Sequence, residues 1–247
     1  MSSPPRPAWQ TALDFDAQAG DHYHDYVNPA VLQSVAEEPR RVLDLGCAGG
    51  ALGAALKARF PDAHVVGVEA GRAAATRAAT RLDRVIHARI ETLDLAAEGF
   101  APGTFDTVIA ADVLEHLVNP WQLLVSLRPF LAGGAQVIAS LPNVRNLWLL
   151  GRTLVEGRWE YGEHGLLDVT HLRFFTLEEM RRMFEETGYR AEGYSAMILP
   201  SLREAFEAYR GRGAKVLKFG RLSIDDVTPD EIEQFCADQF ILRCRAP

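Results

Sequence analysis

The sequence is poor in several features that mark other protein classes. Its 3 cysteines are spread too widely along 247 residues for a disulfide framework or a set of paired metal ligands. The amino terminus, MSSPPRPAW, lacks the apolar stretch of a secretion signal, and no apolar run approaches the roughly 20 residues of a membrane-spanning helix. These absences predict a protein of the reducing cytoplasm without a membrane span.

An excess of basic charge is also missing. The formal net charge is -7, whereas proteins that bind nucleic acid usually carry a basic face, so we expect no nucleic-acid partner. Two local basic segments, RNLWLLGR and YRGRGAKVLKFGR, are exceptions to the acidic balance. The length and the 48% hydrophobic content suit one large α/β domain with a modest insertion.

Strand-like and helix-like runs alternate along much of the chain. Apolar runs that predict strands occupy residues 42–45, 64–68, 85–88, 107–111 and 135–140. Helical patterns follow most of them, at residues 52–60, 72–82 and 121–131, and two later segments, 189–198 and 239–246, again predict strands. This alternation favours parallel βαβ units with right-handed crossovers.

A glycine-rich turn follows the first predicted strand, in the segment DLGCAGG that begins at Asp44. A dinucleotide fingerprint, G-x-G-x-x-G, would need glycine at Ala48, and a side chain there obstructs the approach of a pyrophosphate. The Asp44 carboxylate suits an ammonium group better than a phosphate. Glu69 ends the second predicted strand, where a carboxylate can accept both ribose hydroxyls. The pattern favours a nucleoside that carries an amino acid, S-adenosylmethionine, over the cofactor of a dehydrogenase.

Three segments together, VLDLGCAGGALG, VVGVEA and FDTVIAADVLEHLVNPWQLLVSLRPFLAGGAQVIASLPN, resemble the class I S-adenosylmethionine-dependent methyltransferases. The resemblance covers roughly residues 23–188. It implies an α/β fold with a Rossmann-like seven-stranded sheet, mostly parallel with an antiparallel last strand, and helices on both faces. We expect an N-terminal helical cap at residues 1–40 and a methyltransferase domain at 41–247, with an acceptor-site insertion at about 142–175.

The resemblance also implies which residues bind S-adenosyl-L-methionine. Asp44 would hold its amino group, and the turn residues would contact its methionine part: Gly46, Cys47, Ala48 and Gly49. Glu69, next to Ala70, would bind the ribose. Ile90 and Glu91 would flank the adenine, and Ala111 and Asp112 would lie beside the methyl-sulfonium.

Transfer to a hydroxyl also requires a general base or a metal ion, because the acceptor must lose a proton. The candidate catalytic residues are His171, Asp168 and His116. Asp112, Glu115 and His116 resemble, together with a later histidine, the metal site of some O-methyltransferases, including ubiquinone-pathway and small-RNA-end enzymes. Such ligands suit magnesium, manganese or zinc. The alternatives are that these side chains brace a loop and that His171 packs beneath the insertion, hydrogen-bonded to Asp168.

The N-terminal segment and the insertion both contain candidate acceptor contacts. Aromatic and amide side chains that could wall an acceptor site are Tyr23, Tyr26, Asn143, Trp159 and Tyr161. The segment GLLDVTHLRFFTLEEM resembles a subgroup associated with surface-polysaccharide and natural-product sugar methylation. This resemblance implies a small-molecule or glycan substrate that is methylated on a hydroxyl.

Other functions stay open at this stage. Within enzymes they are transfer to nitrogen and transfer to a quinone-like phenol. A non-catalytic, cofactor-binding partner of a biosynthetic enzyme is a further alternative. We also consider a homodimer, and the pattern of residues 200–235 predicts no particular structure.

Overall fold

The computed structural model of the chain describes residues 25–247. Nine strands are present in this part of the chain, and they are β1 (Arg41–Leu45), β2 (His64–Glu69), β3 (Arg84–His87), β4 (Phe105–Ala111), β5 (Leu131–Pro142), β6 (Arg190–Ile198), β7 (Ala214–Phe219), β8 (Leu222–Val227) and β9 (Ala237–Arg245). Seven of them form one sheet in the order β3-β2-β1-β4-β5-β9-β6. All neighbours are parallel except β9, which runs antiparallel to both β5 and β6. The predicted fold class is confirmed, with the antiparallel last strand inserted between two earlier ones.

Helices cover both faces of this sheet. They are α1 (Pro29–Ser34), α2 (Ala51–Arg59), α3 (Arg72–Ala78), α4 (Pro120–Leu127), α5 (Leu147–Leu150), α6 (Leu177–Glu186), α7 (Arg203–Tyr209) and α8 (Pro229–Cys236). Neighbouring strand residues enter different cores: Val42 packs with α1 and α2, whereas Leu43 packs with α4 and α6. Burial on both faces explains why the strands are continuous apolar runs without polar alternation.

The helix predicted at residues 121–131 is shorter than expected. Asn119 caps α4 by accepting a hydrogen bond from the Gln122 backbone N–H at 3.0 Å, and Pro120 occupies the first turn. The helix nevertheless ends at Leu127, and β5 already begins at Leu131. Pro129 explains the difference, since it has no N–H for the helical ladder and its ring clashes with the preceding turn.

The insertion is fixed to the sheet at both of its ends. Asn143 and Phe175 form an isolated parallel bridge, and the Asn143 backbone N–H donates to the Asp238 carbonyl at 2.8 Å. The Asn143 side chain donates to the carbonyls of Gln234 and Ala237 and has no exposed surface. Asn143 is therefore an anchor of the insertion, which corrects its prediction as an acceptor contact.

Residues 200–235, for which the sequence pattern predicted no particular structure, follow β6 and precede β9 in the sequence. They form a separate small layer beside the sheet. This layer contains α7, the β7–β8 hairpin and α8. Its core consists of apolar residues from these elements and from α5: Leu147, Leu202, Leu217, Val227, Ile232, Phe235 and Cys236. The layer therefore packs against the start of the insertion.

Two other predictions concern the N-terminal segment and membrane-spanning helices. The N-terminal cap predicted at residues 1–40 falls mostly outside the described residues, and between residue 25 and β1 the structure has the single helix α1. Within residues 25–247, no helix combines the length and the apolar character needed to cross a bilayer.

The packing around β2 yields a stability prediction. A Cβ atom added at Gly67 would lie 2.5 Å from Cys47 Sγ and 2.7 Å from Leu82 Cδ1. Because buried overpacking is costly, we expect Gly67→Ala to lower the free energy of unfolding by about 1–3 kcal/mol in urea denaturation.

The matched control is Gly133→Ala, in β5, where an added Cβ meets no atom within 4 Å. We expect this change to stay within about 0.5 kcal/mol of the parent protein. Equal stability of the two variants would contradict the close contact described at Gly67.

Candidate active site

The glycine turn after β1 adopts left-handed backbone conformations at several positions. The φ angles are +66° at Gly46, +46° at Ala48 and +78° at Gly50. A Cβ at Gly46 would lie 2.7 Å from Val113 Cγ2, so the turn passes too close to the loop after β4 for any side chain. The turn thus brings the carboxyl ends of β1 and β4 together, at the edge of the sheet where ligands bind in open α/β folds.

Glu69, the last residue of β2, holds the turn in place. Its Oε2 accepts from the Ala48 N–H at 2.9 Å, and its Oε1 accepts from the Gly71 N–H at 2.7 Å. One carboxylate therefore connects the turn after β1 to the turn after β2. The sequence pattern predicted Glu69 as a ligand contact but did not predict this support of the backbone.

Asp44 lies beneath the turn and is almost completely buried, with 2% of its surface exposed. Its Oδ2 atom has no hydrogen-bond partner among the described residues. Burial raises the pKa of Asp44 to about 7, and the negative charge of Glu69 contributes to the shift. The ionised form of such a buried, unpartnered carboxylate is stabilised most by a cationic hydrogen-bond donor.

The other predicted cofactor contacts frame the same edge. The Cys47 thiol is buried, which raises its pKa and argues against a nucleophile, while its backbone N–H donates to the Val68 carbonyl at 3.0 Å. The Gly49 carbonyl accepts from Arg81 at 2.9 Å. Ala70 accepts from His87 Nε2 at 3.0 Å. Ile90 and Glu91 lie in the short 3₁₀ helix Ile90–Thr92 after β3.

Ala111 ends β4, and Asp112 follows it with a φ of +55°. The Asp112 Oδ1 atom accepts from Ser140 Oγ at 3.0 Å and also from Gln239 Nε2. Gln239 in turn accepts from the Asn28 side chain at 3.2 Å, which links Asp112 to α1. Burial raises the pKa of Asp112 to about 6, although its two hydrogen bonds oppose the shift.

A pair of histidines lies beyond Asp112. The rings of His116 and His171 are 4.7 Å apart with an edge-to-face angle of 74°. His171 Nδ1 is 3.1 Å from the Leu166 carbonyl, which can only accept, so Nδ1 carries the proton and Nε2 has a free lone pair. Burial lowers the pKa of both imidazoles, that of His116 to about 4.

The tautomer of His116 follows from its hydrogen bonds. Thr170 Oγ1 donates to Asp168 Oδ1 at 2.7 Å and lies 2.9 Å from His116 Nδ1. Since the hydroxyl proton points to Asp168, His116 Nδ1 must donate to Thr170, which leaves the His116 Nε2 lone pair free. Asp168 is therefore connected to His116 through Thr170, and its carboxylate does not bond the His171 ring as the packing alternative supposed.

Glu115 completes the cluster between the histidines. It is 1% exposed, and neither carboxylate oxygen has a hydrogen-bond partner in the described part of the chain. Its Oε1 lies 4.0 Å from His171 Nε2, and burial raises its pKa well above the ordinary value. Ligand atoms of Glu115, His116 and His171 all lie within 4.8 Å of one another. This group shares Glu115 and His116 with the predicted metal ligands and adds His171, whereas the Asp112 carboxylate bonds Ser140 and Gln239.

The described aromatic residues that were predicted to contact the acceptor lie at the surface. Tyr26, Trp159 and Tyr161 are exposed, and Trp159 packs edge-on against Phe174 with ring centroids 5.3 Å apart. Tyr23 lies outside the described residues. The sequence reasoning overlooked Trp148, Thr170 and Asp238, whose roles depend on how the insertion folds back on the sheet.

The sheet order, the glycine turn and the two strand-end carboxylates define a class I S-adenosylmethionine-dependent methyltransferase. A family model described as "Methyltransferase domain" matches residues 17–192, more than half of the chain. The chain belongs to this methyltransferase family, and S-adenosylmethionine is the cofactor that the family implies.

Curated relatives and solved structures agree with this assignment. A ubiquinone biosynthesis O-methyltransferase of Aeromonas salmonicida is 25% identical over 194 residues, which cover 73% of this chain and 78% of the relative. A trans-aconitate 2-methyltransferase of Methylobacterium radiotolerans is 36% identical over 107 residues, but these cover only 43% of this chain and 40% of the relative.

Among solved structures, an S-adenosylmethionine-dependent methyltransferase from Thermotoga maritima superposes with a TM-score of 0.57 at 15% identity, over 91% of each chain. The [4+2]-cyclase SpnF superposes with a TM-score of 0.55 at 16% identity, over 93% of this chain and 82% of that one. At such identities the superpositions show the shared fold alone.

The burial of Asp44 yields a pH prediction for the protein without cofactor. Because its pKa is raised on folding, the folded chain takes up a proton that the unfolded chain releases, and stability falls as the pH rises towards 7. Asp44→Asn removes this loss. We expect the stability of the variant relative to the parent to increase by on the order of 2 kcal/mol between pH 5 and pH 8 in urea denaturation.

Asp62→Asn, an exposed change in the turn before β2, serves as the control. It should leave the pH dependence as it is in the parent protein. A stability difference between Asp44→Asn and the parent that is constant across this pH range would show that Asp44 does not titrate as described.

Proposed function

We propose that the protein transfers the methyl group of S-adenosylmethionine to a hydroxyl of a sugar or another small hydroxylated metabolite. The observation that carries this proposal is the pair of neutral imidazoles with free Nε2 lone pairs, His116 and His171, beside the carboxyl end of β4. A hydroxyl acceptor needs a group that removes its proton. An amine acceptor needs such a group less, because its nitrogen already has a nucleophilic lone pair. The O-methyltransferase relative supports the same direction.

The cofactor would bind across the carboxyl ends of β1, β2 and β4. Asp44 would receive the ammonium group of the methionine part, which satisfies its unpartnered Oδ2. The turn at Gly46 would allow close contact with the main chain. Each Glu69 oxygen uses one lone pair for a backbone N–H, so a second lone pair on each remains for the ribose hydroxyls.

The rest of the cofactor site follows from these two anchors. The adenine would lie against Ile90 and Glu91, next to Ala70. The methyl-sulfonium would lie beside Ala111 and Asp112, and the acceptor would approach from the side of the insertion. Since the enzyme chiefly aligns the two partners, rigid anchoring of these elements is itself part of catalysis.

His171 is the general base of this proposal. Its Nε2 would take the hydroxyl proton, and the positive charge formed on His171 would favour the ionised form of Glu115, 4.0 Å away, against the burial that otherwise raises the pKa of this carboxyl. His116 has the lower proton affinity, because burial reduces its pKa to about 4, so we assign it to positioning. Asp168 supports His116 through Thr170.

As the alternative to a base at His171, we propose that Glu115, His116 and His171 hold a divalent metal ion, in which case His171 Nε2 is a ligand and the ion replaces it as the group that activates the acceptor hydroxyl. In both imidazoles Nδ1 is held by a second group, which leaves Nε2 as the nitrogen for a metal, the usual arrangement of metal-binding histidines. The buried Glu115 oxygens lack other partners among the described residues. Two nitrogens and one carboxylate fit zinc or manganese better than magnesium. When bound, such an ion would lower the pKa of an acceptor hydroxyl.

Transfer to a quinone-like phenol is the second candidate. It is favoured by the ubiquinone biosynthesis O-methyltransferase, of which this chain covers 78%. Methyl transfer by the purified chain alone would exclude the non-catalytic partner alternative. The ratio of turnover on sugars to turnover on catechols would then decide between the two hydroxyl classes.

Cofactor affinity tests the ribose assignment. Because Glu69→Ala removes charge-assisted hydrogen bonds, it should weaken the binding of S-adenosylhomocysteine in calorimetry by about tenfold to a hundredfold. Glu98→Ala, a change at a partly exposed residue before β4 that pairs with Arg84, should bind as the parent does. Urea denaturation of both variants checks that the fold is intact. Unchanged affinity in Glu69→Ala would remove the ribose assignment.

The base and the metal are tested on one set of variants. We expect His171→Ala to reduce the release of S-adenosylhomocysteine, assayed on a panel of sugars and catechols, by about 10²- to 10⁴-fold. Its affinity for S-adenosylhomocysteine should stay close to that of the parent. Metal analysis of the parent decides between the two roles of His171: zinc or manganese that Glu115→Gln and His171→Ala lose would make His171 a metal ligand, whereas a metal-free parent with full turnover would leave it as the base.

The control is His64→Ala, an exposed histidine at the opposite end of the sheet, where β2 begins. It should keep both turnover and metal. Unchanged turnover in His171→Ala would place the base elsewhere, and a parent protein without bound metal after incubation with zinc or manganese would exclude the metal site.

A further inference from the structure

A cavity of about 400 Å³ lies against the insertion. Its lining includes aromatic, charged and aliphatic side chains: Trp148, Glu160, His164, Leu166, Leu199 and Asp238. This volume falls within the range of small-molecule sites and accommodates a monosaccharide. The insertion residues described so far at the active site, Asp168, Thr170 and His171, do not line this cavity.

The cavity borders both halves of the candidate active site. Leu166 lines the cavity, and its carbonyl accepts the proton of His171 Nδ1 at 3.1 Å. Asp238 lies at the start of β9, next to Gln239, which donates to Asp112. The charge of Asp238 also reaches Asp112 and raises the pKa of that carboxyl. A molecule in the cavity would therefore contact Leu166, which holds the ring of the proposed base, and Asp238, which precedes the residue that bonds Asp112.

Charge is unevenly compensated in this cavity. Glu160 pairs with Arg152, whose guanidinium also lies 5.0 Å from the centre of the Trp148 ring. Asp238 is partly buried, and its carboxylate has no hydrogen bond or ion pair with any described residue. Burial without a partner raises the pKa of Asp238. A carboxylate in this position favours a cationic ligand and repels an anionic one.

We infer that this cavity is the acceptor site and that Asp238 binds an ammonium group of the acceptor. The acceptor is then an amino sugar, or an amino alcohol of similar size, with its cation on Asp238 and a hydroxyl towards His171. The apolar walls at Leu166 and Leu199 contact its carbon skeleton. This inference rests on the proposed hydroxyl transfer and narrows its substrate class. It excludes polycarboxylate acceptors such as the substrate named for the trans-aconitate relative.

Three sugars that differ in charge test the inference. Glucosamine, glucose and glucuronate are titrated into the protein saturated with S-adenosylhomocysteine, at pH 7. We expect glucosamine to bind about tenfold more tightly than glucose, because its ammonium group forms one partly buried ion pair with Asp238. Glucuronate should bind more weakly than glucose, because its carboxylate is repelled. In Asp238→Asn, glucosamine and glucose should bind alike, with the affinity for S-adenosylhomocysteine unchanged.

Asp225→Asn is the matched control, since it removes the same charge at an exposed position of the β7–β8 hairpin. It should keep the preference for glucosamine. Equal binding of glucosamine and glucose by the parent, a preference for glucuronate, or no binding of any of the three would overturn the inference. Failure to bind S-adenosylhomocysteine would instead overturn the proposed function, so the two failures are distinguishable.

Discussion

The hydrogen bonds from the backbone of Ala48 and Gly71 to the carboxylate of Glu69 are the contact on which the site depends. They hold a left-handed turn at a residue other than glycine, where the chain alone would favour another conformation. They also place the Glu69 charge close to the buried Asp44. Two carboxylates are thereby held close together, and their repulsion is relieved either by protonation of Asp44 or by a bound cation. The backbone hydrogen bonds therefore concentrate negative charge at this edge of the sheet, where the positively charged cofactor implied by the family would bind.

The acceptor side depends on a different kind of support, which is the attachment of the insertion to the sheet. The backbone carbonyl of Glu115 accepts from the N–H groups of Leu172 and Arg173, at 2.8 and 3.0 Å. These bonds align the loop after β4 with the segment that carries His171. Asn143 fixes the start of the same insertion to β9. Main-chain hydrogen bonds therefore bring the two segments together, and ring hydrogen bonds to Thr170 and to the Leu166 carbonyl then orient His116 and His171.

The parts that the sequence predicted well are those with local signals. The strands of the large sheet and the turn at Gly46 each depend on residues within a few positions, and the structure has them. The pairing of His116 with His171 spans 55 residues and depends on the folded insertion, so spacing along the chain could not reveal it. The contact of Thr170 with His116 was missed for the same reason, since 54 positions separate the two residues. Pro129 is the exception, because its effect on α4 is local and was overlooked.

The link from Asn28 through Gln239 to Asp112 joins the first described helix, the last strand and the centre of the sheet. Asn28 and Gln239 are 211 positions apart in the sequence. The contact therefore forms only when α1, β4 and β9 have all taken their places, and β6 has no neighbour in the sheet until β9 is there. The surroundings of Asp112 are thus completed by long-range folding, and no single segment of the chain can preorganise them alone.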